Sequence, residues 1–308
     1  MSTVVLLGPQ GETPDIGPAL AEHGIAGKVA LITAGLQDRE SDDAALVAAL
    51  GGVSAVNLKL HARAADVFDK DPELAAAYQA RQLRFRNIQS FYRVRLEKAD
   101  EAARMISVRY VEPELLEQED RVSVDQLRQL DVDHLDRCIA IRQAYEARWN
   151  RDRPAIAGHR AELASELETC NAIVIAGGHV ASLFNRIRLF DVLGLAAGKP
   201  VFAWSAGAMV LADRIVLFHD YPPYGSDIAQ VLDAGFGLAP RVVVLPDPKR
   251  RIRMDDKAGI ARFARRMLPA SCVAMDHGAR LVFEDGMCTR AVAVRLGIDG
   301  SIAQSGAA

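Results

Sequence analysis

Apolar residues recur along the chain in short unbroken runs separated by amphipathic stretches. Runs at 4–7, 28–33, 53–58, 172–176, 200–204, 241–245 and 271–275 are too short for helices and have no polar alternation. They read as strands buried on both faces. Stretches at 16–23, 42–50, 155–168, 180–193 and 206–212 read as helices, as does the one that opens at Asp255-Asp256 and ends near Arg265 and Arg266. Strand and helix alternate at the short spacing that builds a parallel sheet covered on both faces. Residues 214–218 predict a further strand. Residues 280–283 and 291–296, joined through Glu284-Asp285-Gly286, predict a terminal hairpin on the sheet edge, and residues 300–308 are expected to fray.

From residue 62 the pattern changes. Asp71-Pro72-Glu73 is a strong helix start, with a capping carboxylate and proline at the first helical position. A tract without Gly or Pro runs from there to about residue 105, and a second runs from about residue 123 to 149. Each carries apolar positions three or four apart. Neither fits the short crossover of a sheet protein, so residues 62–153 read as an inserted helical hairpin. Residues 1–61 and 154–308 then form one α/β domain, a three-layer α/β/α sandwich with a mostly parallel sheet. The aromatic positions of the hairpin favour a homodimer contact over a cofactor site.

Composition narrows the classes. The 308 residues are 50% hydrophobic with a net charge of −3, which is enough for a large core and argues against general nucleic-acid binding. No span is apolar and long enough to predict a membrane helix, and the start of the chain lacks a secretory pattern, so a cytoplasmic protein is expected. Cys138, Cys170, Cys272 and Cys288 are scattered without paired spacing or a nearby histidine cluster. No metal, cofactor or disulfide is expected from them.

The chemistry concentrates where the run 200–204 meets Ser205-Ala206-Gly207-Ala208. A strand passing sharply into a helix needs small residues, because the two backbones nearly touch, and it lifts the hydroxyl above the sheet. Helix N–H groups beside Ser205 suit a developing oxyanion. A capping serine at a small-residue helix start is the alternative reading of the same residues. Upstream, the run 172–176 ends in Gly177-Gly178, whose bare backbone N–H groups suit a ligand, so Gly178 and Ala206 are the candidate oxyanion donors. His179 follows as a substrate contact or a helix cap. Gln37, in the polar loop Gln37-Asp38-Arg39-Glu40, and Arg250, in Lys249-Arg250-Arg251, border the same sheet edge as candidate substrate contacts.

With Gly177-Gly178, Leu183-Phe184-Asn185-Arg186, Trp204-Ser205-Ala206-Gly207-Ala208 and Gly235-Phe236-Gly237-Leu238 in view, the chain resembles the S51 serine peptidases. These include dipeptidase E and the cyanophycinases and share the class I glutamine amidotransferase-like fold. The resemblance covers residues 171–275 well, the first sixty weakly and the middle of the chain not at all. It implies a serine hydrolase acting on a peptide or isopeptide-like amide, with Ser205 as nucleophile and Asp220, in His219-Asp220-Tyr221-Pro222, as triad acid. The family's base histidine follows the strand equivalent to 241–245, where this chain has Pro246-Asp247-Pro248. A serine hydroxyl needs a base, and three residues offer one: His219, Asp247 and His277. A catalytically degraded relative serving as a binding or interaction scaffold is the alternative. A glutamine amidotransferase fits least, because that chemistry resembles a triad with cysteine at the elbow.

Overall fold

The run 4–7 becomes the central strand of a ten-stranded sheet. In the computed structural model, which describes residues 3–149, 151–219 and 228–305, the elements follow in chain order. They are β1 (Thr3–Leu7), α1 (Ile16–Glu22), β2 (Lys28–Ile32), α2 (Ala44–Ala49), β3 (Ser54–Asn57), α3 (Leu60–Lys70), α4 (Pro72–Ser107), α5 (Pro113–Arg148) and α6 (Pro154–Glu168). Then come β4 (Ala172–Ile175), α7 (Val180–Phe190), α8 (Val192–Leu195), β5 (Val201–Trp204), α9 (Ala206–Leu211), β6 (Arg214–Leu217) and β7 (Gln230–Ala234). The chain finishes with β8 (Val242–Pro246), α10 (Lys257–Met267), β9 (Ser271–Met275), β10 (Arg280–Glu284), β11 (Met287–Leu296) and β12 (Ile302–Ser305).

Strands β3, β2, β4, β5 and β1 lie side by side and parallel, with Ile32 against Ile175, Ile175 against Ala203 and Leu7 against Trp204. Their carboxyl ends therefore line up along one edge. The sheet continues antiparallel through β10 and β11, and the last residues of β11 pair with β9, which runs parallel to β8. Successive strand residues face opposite layers. Val5, Leu7, Val29, Leu31 and Phe202 pack under α1 and α2, whereas Val4, Leu6, Ala30, Ile32 and Ala203 pack under the helices of the other face. The result is the expected mixed α/β sandwich.

Three local expectations are corrected and one is borne out. The terminal hairpin is not an edge feature, because β10 inserts between β1 and β11. Residues 302–305 do not fray but pair with β11. The strand expected at 214–218 is present at 214–217 and pairs with β7 in a separate two-stranded ribbon. The helix expected over 180–193 breaks at Asp191, whose left-handed backbone (φ 54°) reorients the chain into α8.

Helix α3 belongs to the sandwich, since Leu60, Ala64 and Val67 join the core under the sheet. The long hairpin is α4 and α5, each 36 residues. Asp71 starts it by accepting from the Leu74 N–H at 3.0 Å, and Arg153 clamps Asp71 with two bonds of 2.6 and 2.8 Å, closing the root of the hairpin. Midway along, Arg266 of α10 donates to both carboxylate oxygens of Asp131 on α5, at 2.8 and 2.6 Å, and to Tyr92 Oη of α4 at 3.0 Å. The hairpin is thereby fixed along one side of the body.

Candidate active site

Helices after β2 and β4 leave toward opposite faces: α2 belongs to one core layer and α7 to the other. Such a divergence opens the crevice where ligands of open α/β sheets bind. In this chain the crevice is bordered by Gly35 and Gln37 after β2, by Gly177, Gly178 and His179 after β4, and by Ser205 after β5.

Glycine makes this convergence possible. A Cβ on Gly35 would stand 2.5 Å from the Gly177 carbonyl oxygen, one on Gly178 would collide with the Gly35 backbone, and one on Gly207 would collide with the Ile175 carbonyl. Gly178 also has φ +119°, a conformation that L side chains resist. The His179 N–H donates to the Gly35 carbonyl at 2.7 Å and stitches the two loops together.

Ser205 sits at the apex of the turn with φ 51° and ψ −123°. Few non-glycine residues adopt this conformation, which costs on the order of 1–3 kcal/mol and persists only where the surroundings enforce it. Here they do: β5 and the wholly buried α9 hold it from both sides. The side chain is half-buried, and among the described residues its Oγ has no hydrogen-bond partner. The N–H groups of Gly178 and Ala206 likewise donate to no acceptor among those residues. One hydroxyl and two unengaged backbone donors thus share one sheet edge.

Gln37 adopts almost the same strained backbone as Ser205, φ 56° and ψ −123°. Its Nε2 donates to Ser182 Oγ at 2.8 Å, and Ser182 Oγ lies 2.9 Å from His179 Nδ1. The Ser182 backbone N–H also donates to that nitrogen, at 3.2 Å, so His179 caps α7. A ring that accepts at Nδ1 carries its proton on Nε2, which makes His179 a donor rather than a base toward the crevice. Sequence reasoning singled out Gln37 and His179 separately and missed Ser182, whose position three residues after a cap was the available signal.

The other candidates stand on other segments, after β6, β8 and β9. Asp247, in a left-handed conformation (φ 52°) after β8, faces Arg250 at 3.8 Å, and neither it nor Arg250 bonds to the elbow. His277 joins the loop after β1, with Nε2 3.0 Å from Thr13 Oγ1. His219 stacks on Phe218, ring centroids 6.2 Å apart. Asp220 lies outside the described residues. Glu40, from the polar loop of Gln37, turns inward instead and accepts from the His61 and Ala62 N–H groups at the start of α3.

The resemblance residues of α7 divide by face: Leu183 and Phe184 enter the core, while Asn185 and Arg186 hold the root of α4. Arg81 donates to Asn185 Oδ1 at 3.1 Å and Arg186 to Tyr78 Oη at 3.2 Å. Between α4, α7 and β7 lies a cavity of about 260 Å³ lined by Gln82, Arg86, Gln89, Phe184, Asn185 and Leu232 among others.

No protein-family model matches the chain, and no curated protein matches it. Solved structures do. One is a peptidase from an acI-B1 actinobacterium, 14% identical, with a TM-score of 0.45 over 99% of this chain and 97% of that one. Another is a peptidase E candidate from Listeria monocytogenes EGD-e, 11% identical, with a TM-score of 0.43 over 96% of this chain and 100% of that one.

Proposed function

We propose that the protein is a serine hydrolase that cleaves a peptide or isopeptide-like amide. The observation that carries this reading is Ser205 itself: a strained, half-buried serine at a strand-to-helix apex, beside two unengaged backbone donors. Strain of this kind is retained at sites that use it. In the proposed reaction Ser205 Oγ attacks the substrate carbonyl carbon and its proton passes to a base. The N–H groups of Gly178 and Ala206 stabilise the oxyanion. The acyl–nitrogen bond then breaks as the leaving amine takes the proton, and water releases the acyl group in a second cycle. Asp220 is the acid that the S51 resemblance implies. His179, with its proton on Nε2, contacts the substrate as a donor, and Gln37 holds it through Ser182.

A second reading rests on a specific observation. No described residue bonds to Ser205 Oγ, and Asp247, His277 and His179 are each committed to other partners. In that reading the crevice binds a ligand without turning it over.

Intact-mass labelling with a fluorophosphonate separates the two. For the hydrolase, the wild type gains one adduct that Ser205→Ala abolishes, and comparing acidic with neutral pH distinguishes a carboxylate base such as Asp247 from a histidine. A folded wild type that takes up no adduct at either pH supports the scaffold instead.

A further inference from the structure

The root of the helical hairpin holds a cation without a counter-ion. Arg81 of α4 lies against two rings, its Cζ 4.7 Å from the Tyr78 centroid and 4.2 Å from the Tyr145 centroid. Its guanidinium donates to Asn185 Oδ1 at 3.1 Å and makes no ion pair among the described residues. Other arginines that seat the hairpin do: Arg153 with Asp71, Arg142 with Asp233, Arg262 with Asp100 and Arg266 with Asp131. A guanidinium stays charged, and a charge taken out of water is costly until it is paired. Burial accordingly holds the Arg81 guanidinium below its usual range. The ring faces offset only part of that cost.

Three donors at this place also lack acceptors. Arg81 Nε, Tyr145 Oη and Arg188 Nε are buried and have no hydrogen-bond partner among the described residues. All three side chains line one cavity of about 30 Å³ between α4, α5 and α7. That is room for on the order of one or two water-sized spheres, too little for a substrate. Three guanidinium groups line it, those of Arg81, Arg151 and Arg188, against the single carboxylate of Glu146. Glu146 already accepts from Arg188 Nη2 at 2.8 Å, and Arg151 faces Asp191 at 3.5 Å. Guanidinium N–H groups only donate, and burial pushes the Tyr145 phenol up to about 12, so it keeps its proton. The occupant has to accept several hydrogen bonds and carry negative charge. A water accepts two at most and leaves Arg81 without a counter-ion.

We propose that this cavity is a site for one small monovalent anion, chloride, held by Arg81, Tyr145 and Arg188. These three residues stand on α4, α5 and α7, so the ion ties the root of the hairpin to the body. A ligand that binds the folded chain alone stabilises it by mass action. The site shares no residue with the crevice, and the proposal does not depend on the hydrolase reading.

Thermal unfolding of the full chain in sodium chloride and in sodium gluconate of equal ionic strength tests it, because gluconate is too large for the cavity. At about 200 mM salt the wild type should unfold about 2–4 °C higher in chloride. Arg81→Met removes the unpaired charge and should abolish the difference. Arg84→Gln, at an exposed position of the same helix, should keep it. Tyr145→Phe removes one donor and should need at least about threefold more chloride for the same shift, which keeps the test open if Arg81→Met does not fold. Equal wild-type midpoints in the two salts, or a chloride shift left unchanged by Arg81→Met or by Tyr145→Phe, overturns the proposal.

Discussion

Gly177 stands against Ser205: a methyl group added to Gly177 would come within 2.9 Å of Ser205 Cβ and 3.5 Å of Ser205 Oγ. Gly177 has no positive φ, so alanine there meets a steric objection alone. The obstacle is the elbow, which β5 and α9 hold on both sides and which cannot withdraw. Gly177→Ala should cost about 1–3 kcal/mol in urea denaturation, as overpacked sites do, and should slow fluorophosphonate labelling at least about tenfold by displacing the hydroxyl. Wild-type labelling by a folded Gly177→Ala would show that the two strand ends are further apart than described.

Replacing Ser205 distinguishes strain from side-chain contacts. Ser205→Gly relieves a backbone penalty of about 1–3 kcal/mol and loses about 0.4–1 kcal/mol to the greater freedom of the unfolded chain. The balance favours glycine. Ser205→Ala keeps the Cβ and therefore the strain. Urea denaturation should rank Ser205→Gly above Ser205→Ala by about 1 kcal/mol, and equal stabilities would mean that the elbow is relaxed.

How much of this was legible in the sequence depended on what each residue answers to. The strands 4–7, 172–175 and 201–204 announce themselves because parallel strands are buried on both faces and need continuous apolar runs. The elbow was legible for a similar reason, since only small residues fit where Ala206 and Gly207 pass the end of β4. Pairing partners were harder. Residues 280–284 read as an outer hairpin because nothing in Arg280-Leu281-Val282-Phe283-Glu284 says that β1 lies beside it. The start of α5 at Pro113 was hidden by an acidic first turn with few apolar positions, where the helix meets solvent rather than the core. The polar chain Gln37–Ser182–His179 joins loops 145 residues apart, a distance at which no local pattern operates.

The hairpin should detach when its buried clamp is broken. Arg266 and Asp131 are 3% and 1% exposed, and Tyr92 Oη donates to Asp131 at 2.6 Å while accepting from the Val231 N–H. Burial, with Asp131 close by, pushes the Tyr92 phenol well above its usual range, so it stays a donor. Arg266→Met leaves a carboxylate in the core without its counter-ion and should cost about 3–5 kcal/mol. Adding Asp131→Leu removes the stranded charge as well. The double variant should therefore be more stable than Arg266→Met alone, and a double-mutant cycle by urea denaturation measures the coupling directly.

His134, one turn from that clamp, gives stability a dependence on pH. Its ring stacks on Tyr92 at 4.2 Å and its Nε2 lies 3.5 Å from Cys138 Sγ. Burial holds it below the usual imidazole range; the Leu232 carbonyl, Asp233 and Asp131 pull the other way, and Arg137 adds to the lowering. The unfolded chain takes up this proton near pH 6.5, as a free imidazole does, whereas the folded chain resists it to lower pH. Below about 6.5 the unfolded state therefore binds more protons, and stability falls with pH until the folded value is passed. Above about pH 6.5 both states are neutral and the contribution is flat. His134→Phe keeps a ring against Tyr92 and removes the titration. Urea denaturation from about pH 8 to 5 should show the wild type losing its advantage over His134→Phe as the pH drops, whereas a constant difference would mean that His134 titrates alike in both states.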